Sequence, residues 1–228
     1  MTALAERIEA ATGELVEETV REMYRDPFWL DRFGERGQTN SRTDGAFHVS
    51  YLTRALAAGG PETLEIYARW LQTLLLARGM CSLHLDQHFA RLDEALQSRG
   101  LDEQGTAKAY LTAARRALRH PGIAGELAGA SGSLLDQAGR GLWPARLREL
   151  EVLQSFLADA LALGTPERLA GHLAWLRDHH RRSGVEAAVA DDLLERLRTA
   201  LGALERLPAE ARTAALDCLS RATAGEQP

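Results

Sequence analysis

Two pairs of side chains in this 228-residue chain are spaced for chemistry: Asp44 with His48, and His84 with His88. Residues four apart share one face of a helix. A carboxylate and an imidazole so placed can share a metal or pass a proton, and two imidazoles can chelate zinc or iron. His84 and His88 are therefore the candidate metal ligands. A closed site needs a third and a fourth ligand, and no Glu-x-x-His or Cys-x-x-Cys supplies them. Asp44 is also a natural N-cap, with His48 free to hydrogen-bond it. Cys81 follows Gly79 at a predicted helix start, where a thiolate would be favoured, but nothing nearby marks it as a nucleophile. The chain shows no Gly-rich phosphate loop, no nucleophile elbow and no Ser/His/Asp ordering. No reaction is specified.

Binding chemistry has better candidates. The stretch Arg32-Phe33-Gly34-Glu35-Arg36-Gly37-Gln38-Thr39-Asn40-Ser41-Arg42-Thr43-Asp44 is polar, is broken by glycines and reads as a connection between helices, where binding residues concentrate. Arg32, Arg36, Asp44 and His48 are its candidate ligand contacts. Tyr51, Tyr67 and Trp70 follow as aromatic groups that could face a ligand. Trp70 and Trp175 also read as core anchors, each on the apolar side of its helix.

The elements that must position these groups are helices. Leu4, Ile8, Ala11, Leu15, Thr19 and Met23 step by three or four and predict one long first helix. Phe47, Tyr51, Leu52, Ala55 and Leu56 predict a second, stopped by Gly59-Gly60. Pro61 opens a third, whose inner stripe is Leu64, Tyr67, Ala68, Leu71, Leu74 and Leu75, and Gly79 closes it. A fourth runs from an N-cap at Ser82 to Gly100. A last helix spans 209–221, and the tail from Ala222 is expected to lack structure. Sustained alternation of β-branched residues is absent, so no sheet is expected. The expected class is all-α.

The chain also repeats itself. Shifted by 105 positions, residues 48–96 align with 153–201 without a gap, and 17 of the 49 positions are identical. The matches include the helix stop Gly59/Gly164, the helix start Pro61/Pro166, Trp70/Trp175 and the second stop Gly79/Gly184. Two helices of similar composition would match at Leu and Ala, but not at all of these punctuation marks in one register. The reading is a tandem duplication of a roughly four-helix bundle. Unit 1 spans 1–100, unit 2 spans 104–206, and 207–228 holds a final helix and tail. An insertion of about 11 residues before Gly139 would bring Asp26-Pro27 into line with His120-Pro121.

Tyr51-Leu52, Ala55-Leu56, the glycine turn, Tyr67, Trp70-Leu71, Arg78-Gly79 and Leu85 resemble the helical bundle that precedes cobalamin-binding domains. Such bundles occur in corrinoid carrier proteins and cobalamin-dependent regulators, where they cover the upper face of the corrin. The resemblance implies a helical bundle, here in two tandem copies, and a tetrapyrrole-like ligand. Those families add a doubly wound domain with Asp-x-His-x-x-Gly, whose histidine ligates cobalt. Asp86-Gln87-His88 reproduces only the first half of it, within a helical period that ends in Arg91.

Composition narrows the partners. Hydrophobic residues are 45% and charged residues 26%, a globular balance, and the net charge of −5 argues against nucleic acid. Two cysteines make neither a disulfide framework nor a metal cluster. No apolar run approaches a membrane span and the N-terminus lacks a signal-peptide core, so a cytoplasmic protein is expected. The expected function is non-enzymatic: a regulatory protein binding a partner protein or a small apolar ligand, with homodimer formation open to it. The alternative is a metal- or haem-dependent helical enzyme or sensor using His48 or His84/His88. The residues do not identify a cofactor.

Overall fold

The computed structural model describes residues 2–186 and 188–224. Among these there are twelve helices and no strand. Contacts group them into two compact units, Met1–Leu74 with His84–Leu118, and Leu75–Leu83 with Arg119–Pro228.

The first unit is built on α1 (Ala3–Ala10), α2 (Thr12–Met23), α3 (Pro27–Ala58), α4 (Glu62–Leu76), α5 (Ser82–Ser98) and α6 (Thr106–Ala117). The long first helix expected from spacing is two helices. Thr2 caps α1 by accepting from Ala5 N–H at 3.2 Å, and the chain bends at Ala11 before α2 begins. Of the apolar face as read, Ile8, Leu15, Thr19 and Met23 are buried and Leu4 and Ala11 half-buried. Asp102 starts α6, its carboxylate accepting from Ala107 N–H at 3.1 Å and Lys108 N–H at 2.8 Å. Gln72 fixes α4 to the end of this helix by donating to Leu118 O at 2.7 Å.

The polar stretch 32–44 is not a loop. It lies inside α3, which Asp26 caps through Phe28 N–H at 3.0 Å with Pro27 at the first turn. Asp44 is therefore mid-helix and not an N-cap. The hydroxyls of Thr39, Ser41 and Thr43 turn back onto the carbonyls of Glu35, Gly37 and Thr39, which lets these poor helix formers sit inside the helix. Packing supplies the rest. At Gly45 the backbone runs so close to α2 that a Cβ would meet Val16 Cγ1 at 3.2 Å and Cγ2 at 3.3 Å.

One residue breaks the helix. Gly34 adopts φ 63° and ψ −170°, a conformation open only to glycine. Gly34→Ala is expected to cost about 1–3 kcal/mol, read as a lower urea midpoint with unchanged slope. An unchanged midpoint would mean that α3 does not need the break.

The second unit carries α7 (Gly122–Gly129), α8 (Ser131–Ala138), α9 (Pro144–Leu163), α10 (Pro166–Arg182), α11 (Ala188–Ala203) and α12 (Ala209–Ala224). α9 is buried nearly all round, through Leu150, Val152, Leu153, Phe156, Leu157 and Ala160, as a central helix must be. α12 runs past the expected end of helical structure to Ala224, and the remainder of the tail lies outside the described residues. No described helix is long and apolar enough to cross a membrane.

Candidate functional site

In the first unit α3, α4 and α5 bring His48, Tyr51, Tyr67, Trp70 and His88 together. Tyr51 and Tyr67 stack with centroids 3.9 Å apart and planes within 11°. Trp70 follows at 6.0 Å from Tyr67. Behind the stack, the His48 ring stands 5.8 Å from Tyr67, 5.3 Å from Phe89 and 4.2 Å from His88, edge to face.

His48 is 2% exposed, and neither of its ring nitrogens has a hydrogen-bond partner. The expected bond to Asp44 is not made. Asp44 acts instead on Tyr67, whose phenol is pushed up chiefly by burial, then by the charges of Asp44 and Tyr51. Burial, with His88 adding to it, holds His48 well below the ordinary imidazole value, and burial brings His88 from 6.5 down to about 4. At neutral pH both rings are uncharged, the form in which imidazole binds a metal or accepts a hydrogen bond.

Trp70 does not anchor a core. It is 57% exposed, and Phe47, read as part of the inner face of α3, is 55% exposed. Phe47 and Tyr51 are four apart on α3, and Ile66, 63% exposed, is four before Trp70 on α4. Half-buried Tyr51 stacks on buried Tyr67 between the two helices that carry these exposed apolar side chains, the strip Phe47–Tyr51–Ile66–Trp70. Arg54 adds its guanidinium 5.2 Å from the Tyr51 ring.

The other expected contacts lie elsewhere. Arg36 is exposed, twelve residues before His48 along one helix, which is about 18 Å. Arg32 lies beyond the break at Gly34. His84 lies not with His88 but among Phe28, Trp29 and Phe33, with centroids at 5.0, 5.1 and 6.3 Å. The described residues contain no group of three or more His, Cys, Asp or Glu side chains that could hold a metal ion. Asp86 is taken by Arg115, which donates to both of its oxygens at 2.8 Å.

Two polar clusters in the second unit escaped the sequence reading. Asp159, 1% exposed, accepts from Ser82 N–H at 2.8 Å and from Ser82 Oγ at 2.5 Å, and stands 2.6 Å from His120 Nε2. One turn earlier Ser155 Oγ accepts from Leu83 N–H at 3.1 Å. These are the residue types of a hydrolytic triad in the wrong order. The carboxylate lies between serine and histidine, so the imidazole cannot take the serine proton. Asp159 instead caps the N-terminus of α5. Its one sequence signal is position: a lone carboxylate within Leu157-Ala158-Asp159-Ala160-Leu161.

In the second cluster Arg146 bridges Glu149 and His180 Nε2. The same nitrogen stands 3.0 Å from Glu149 Oε1, so the three side chains close a triangle. Glu149 is the matched residue of Asp44, and its ion pair is internal.

No protein-family profile matches the chain, and comparison with curated proteins and with solved structures returns no match.

Proposed function

We propose that the first unit is the ligand-binding module of a non-enzymatic regulatory protein. The ligand is apolar and planar, of tetrapyrrole-like shape, and lies on the strip Phe47–Tyr51–Ile66–Trp70. The observation that carries this reading is His48, a buried neutral imidazole with both nitrogens unpartnered behind the stacked tyrosines. A buried polar group without a partner costs roughly 1–3 kcal/mol, so it calls for a reason. Metal ligation, or a hydrogen bond to a bound molecule, would supply one.

Comparison within the chain supports the same place. We read the units as two diverged copies, matched helix for helix from α1/α7 to α6/α12. At an offset of 119, Ala5, Ile8, Leu15 and Thr19 meet Ala124, Leu127, Leu134 and Ala138, all buried. The bends match too, Ala11 at φ −93° and Ala130 at φ −86°. At 105, Gly59 and Gly79 meet Gly164 and Gly184, all four at positive φ. The Tyr51–Tyr67 stack meets Phe156–His172, at 4.2 Å and 13°. At 104, buried Ala107, Leu111, Ala114 and Leu118 meet Ala211, Ala215, Cys218 and Ala222. On this reading each copy has six helices, where four were expected. The fall in offset from 119 to 105 then corresponds to 14 extra residues in the first copy, near 25–38, where the match of Asp26-Pro27 to His120-Pro121 implied an insertion in the second.

Set side by side, one face differs. On α9 it carries Val152, Ser155 and Asp159, and the segment Leu75–Leu83 bonds to Ser155 and Asp159 there. The matched face of α3, Phe47, Ser50 and Arg54, has no such cover: Phe47 and Arg54 are exposed and Ser50 is half-buried. A face covered in one copy and exposed with Phe47 in the other is where a ligand or partner belongs.

Titration with haemin and with metal-free protoporphyrin tests this. Both are expected to bind and quench tryptophan emission. Trp70→Ala is expected to weaken both about tenfold or more, by loss of one aromatic contact. Binding of haemin alone, lost in His48→Ala, would favour the second reading, a haem sensor ligated by His48. Binding of neither sinks both.

A further inference from the structure

The cleft between the end of α2 and the polar stretch of α3 has a volume of about 500 Å³ and lies outside the aromatic strip. Arg21, Arg25 and Arg42 line it with Tyr24, Gln38 and Glu17. Each guanidinium commits one nitrogen to a glutamate. Arg42 Nε donates to Glu17 at 2.8 Å, Arg25 Nη1 to Glu22 at 2.5 Å, and Arg21 Nε to Glu22 at 3.4 Å. Arg21 also acts on Glu18, itself bonded to Arg99, so the guanidiniums stand among carboxylates in near balance, and what they offer is donors rather than net charge. The rest of each fork of donors is unused.

We propose that this cleft binds a small molecule bearing a phosphate group. Guanidinium forks recognise phosphate oxygens in pairs, and a phosphomonoester dianion offers three terminal oxygens, more acceptors than a single carboxylate. Tyr24 Oη, 3.5 Å from Ser41 Oγ, and the Gln38 amide add neutral polar groups that suit the body of a ligand larger than the anion. The Tyr24 phenol, raised further by burial, is protonated at neutral pH. The volume points the same way, because about 500 Å³ is the size of a site for a whole small molecule. Arg25 and Gln38 lie in the stretch of the first copy that has no counterpart in the second. This inference stands apart from the aromatic strip and does not depend on it.

Thermal unfolding with pyrophosphate, inorganic phosphate or citrate at constant ionic strength tests it. Pyrophosphate at tenfold excess over its dissociation constant is expected to raise the unfolding temperature by roughly 3–6 °C. The double variant Arg25→Ala/Arg42→Ala is expected to lose at least ten-fold in affinity, while Arg36→Ala, exposed on the same helix, keeps the full shift. No shift with pyrophosphate, an equal shift in the double variant, or an equal loss in Arg36→Ala overturns the site. A citrate shift as large as that of pyrophosphate overturns the phosphate assignment.

Discussion

Asp159→Ala is expected to lower the stability of the protein by about 3–5 kcal/mol, the scale of removing one partner from a buried polar cluster. The carboxylate is 1% exposed and stands against Ser82 N–H, Ser82 Oγ and His120 Nε2. Alanine leaves the first N–H of α5 and the His120 imidazole without this acceptor. It also removes a negative charge from the positive end of a helix dipole. Asp159→Asn keeps one carbonyl acceptor and is expected to lose roughly half as much. Urea unfolding at pH 7 reads both. A midpoint for Asp159→Ala within error of the parent would show that α5 is held by other means. Ser82→Ala is the companion: it removes only the hydroxyl bond, so about 1 kcal/mol is expected.

Acid is expected to destabilise the fold well before carboxylates titrate. His48 and His88 bind protons more weakly in the folded chain than in the unfolded one, because burial penalises the imidazolium. As the pH falls, the unfolded chain takes up protons first. Stability is therefore complete above pH about 6.5 and erodes as the pH drops toward 4. For His88 alone the interval from 6.5 to about 4 amounts to on the order of 3 kcal/mol. His48 adds to this in the same direction. His48→Leu separates the two, since it removes an unpartnered polar group and one titrating site while nearly conserving volume. At pH 7 this variant is expected to be as stable as the parent, or about 1 kcal/mol more so, with a shallower loss on the acid side. It also removes the imidazole on which the proposed haem ligation depends. An acid limb identical to the parent's would mean that His48 is not the group being titrated.

How much of this was legible in the chain depends on how local each cause is. The helical class, the stops at Gly59, Gly79, Gly164 and Gly184, and the start at Pro61 were legible, because periodicity and backbone chirality act over a few residues. Grouping Tyr51 and Tyr67 with Trp70 as aromatic groups that could face a ligand was legible; the stacking of the two tyrosines was not. The helicity of 32–44 was not. Glycines and small polar residues speak against a helix locally, and only packing at Gly45 and the back-bonded hydroxyls override that preference.

The sites divide in the same way. Sequence alone determined which residues could ligate or stack: the imidazoles, the tyrosines, Trp70 and the arginines of the polar stretch. The tertiary structure decided which were buried, exposed or already engaged. His48 and His88 come from helices forty residues apart, and His84, one turn from His88, is captured by Phe28, Trp29 and Phe33. Asp159 meets Ser82 across seventy-seven residues. Burial and hydrogen-bond satisfaction depend on what folds over a side chain, and that neighbour is set by the long-range packing of whole helix faces, not by residues nearby in the chain.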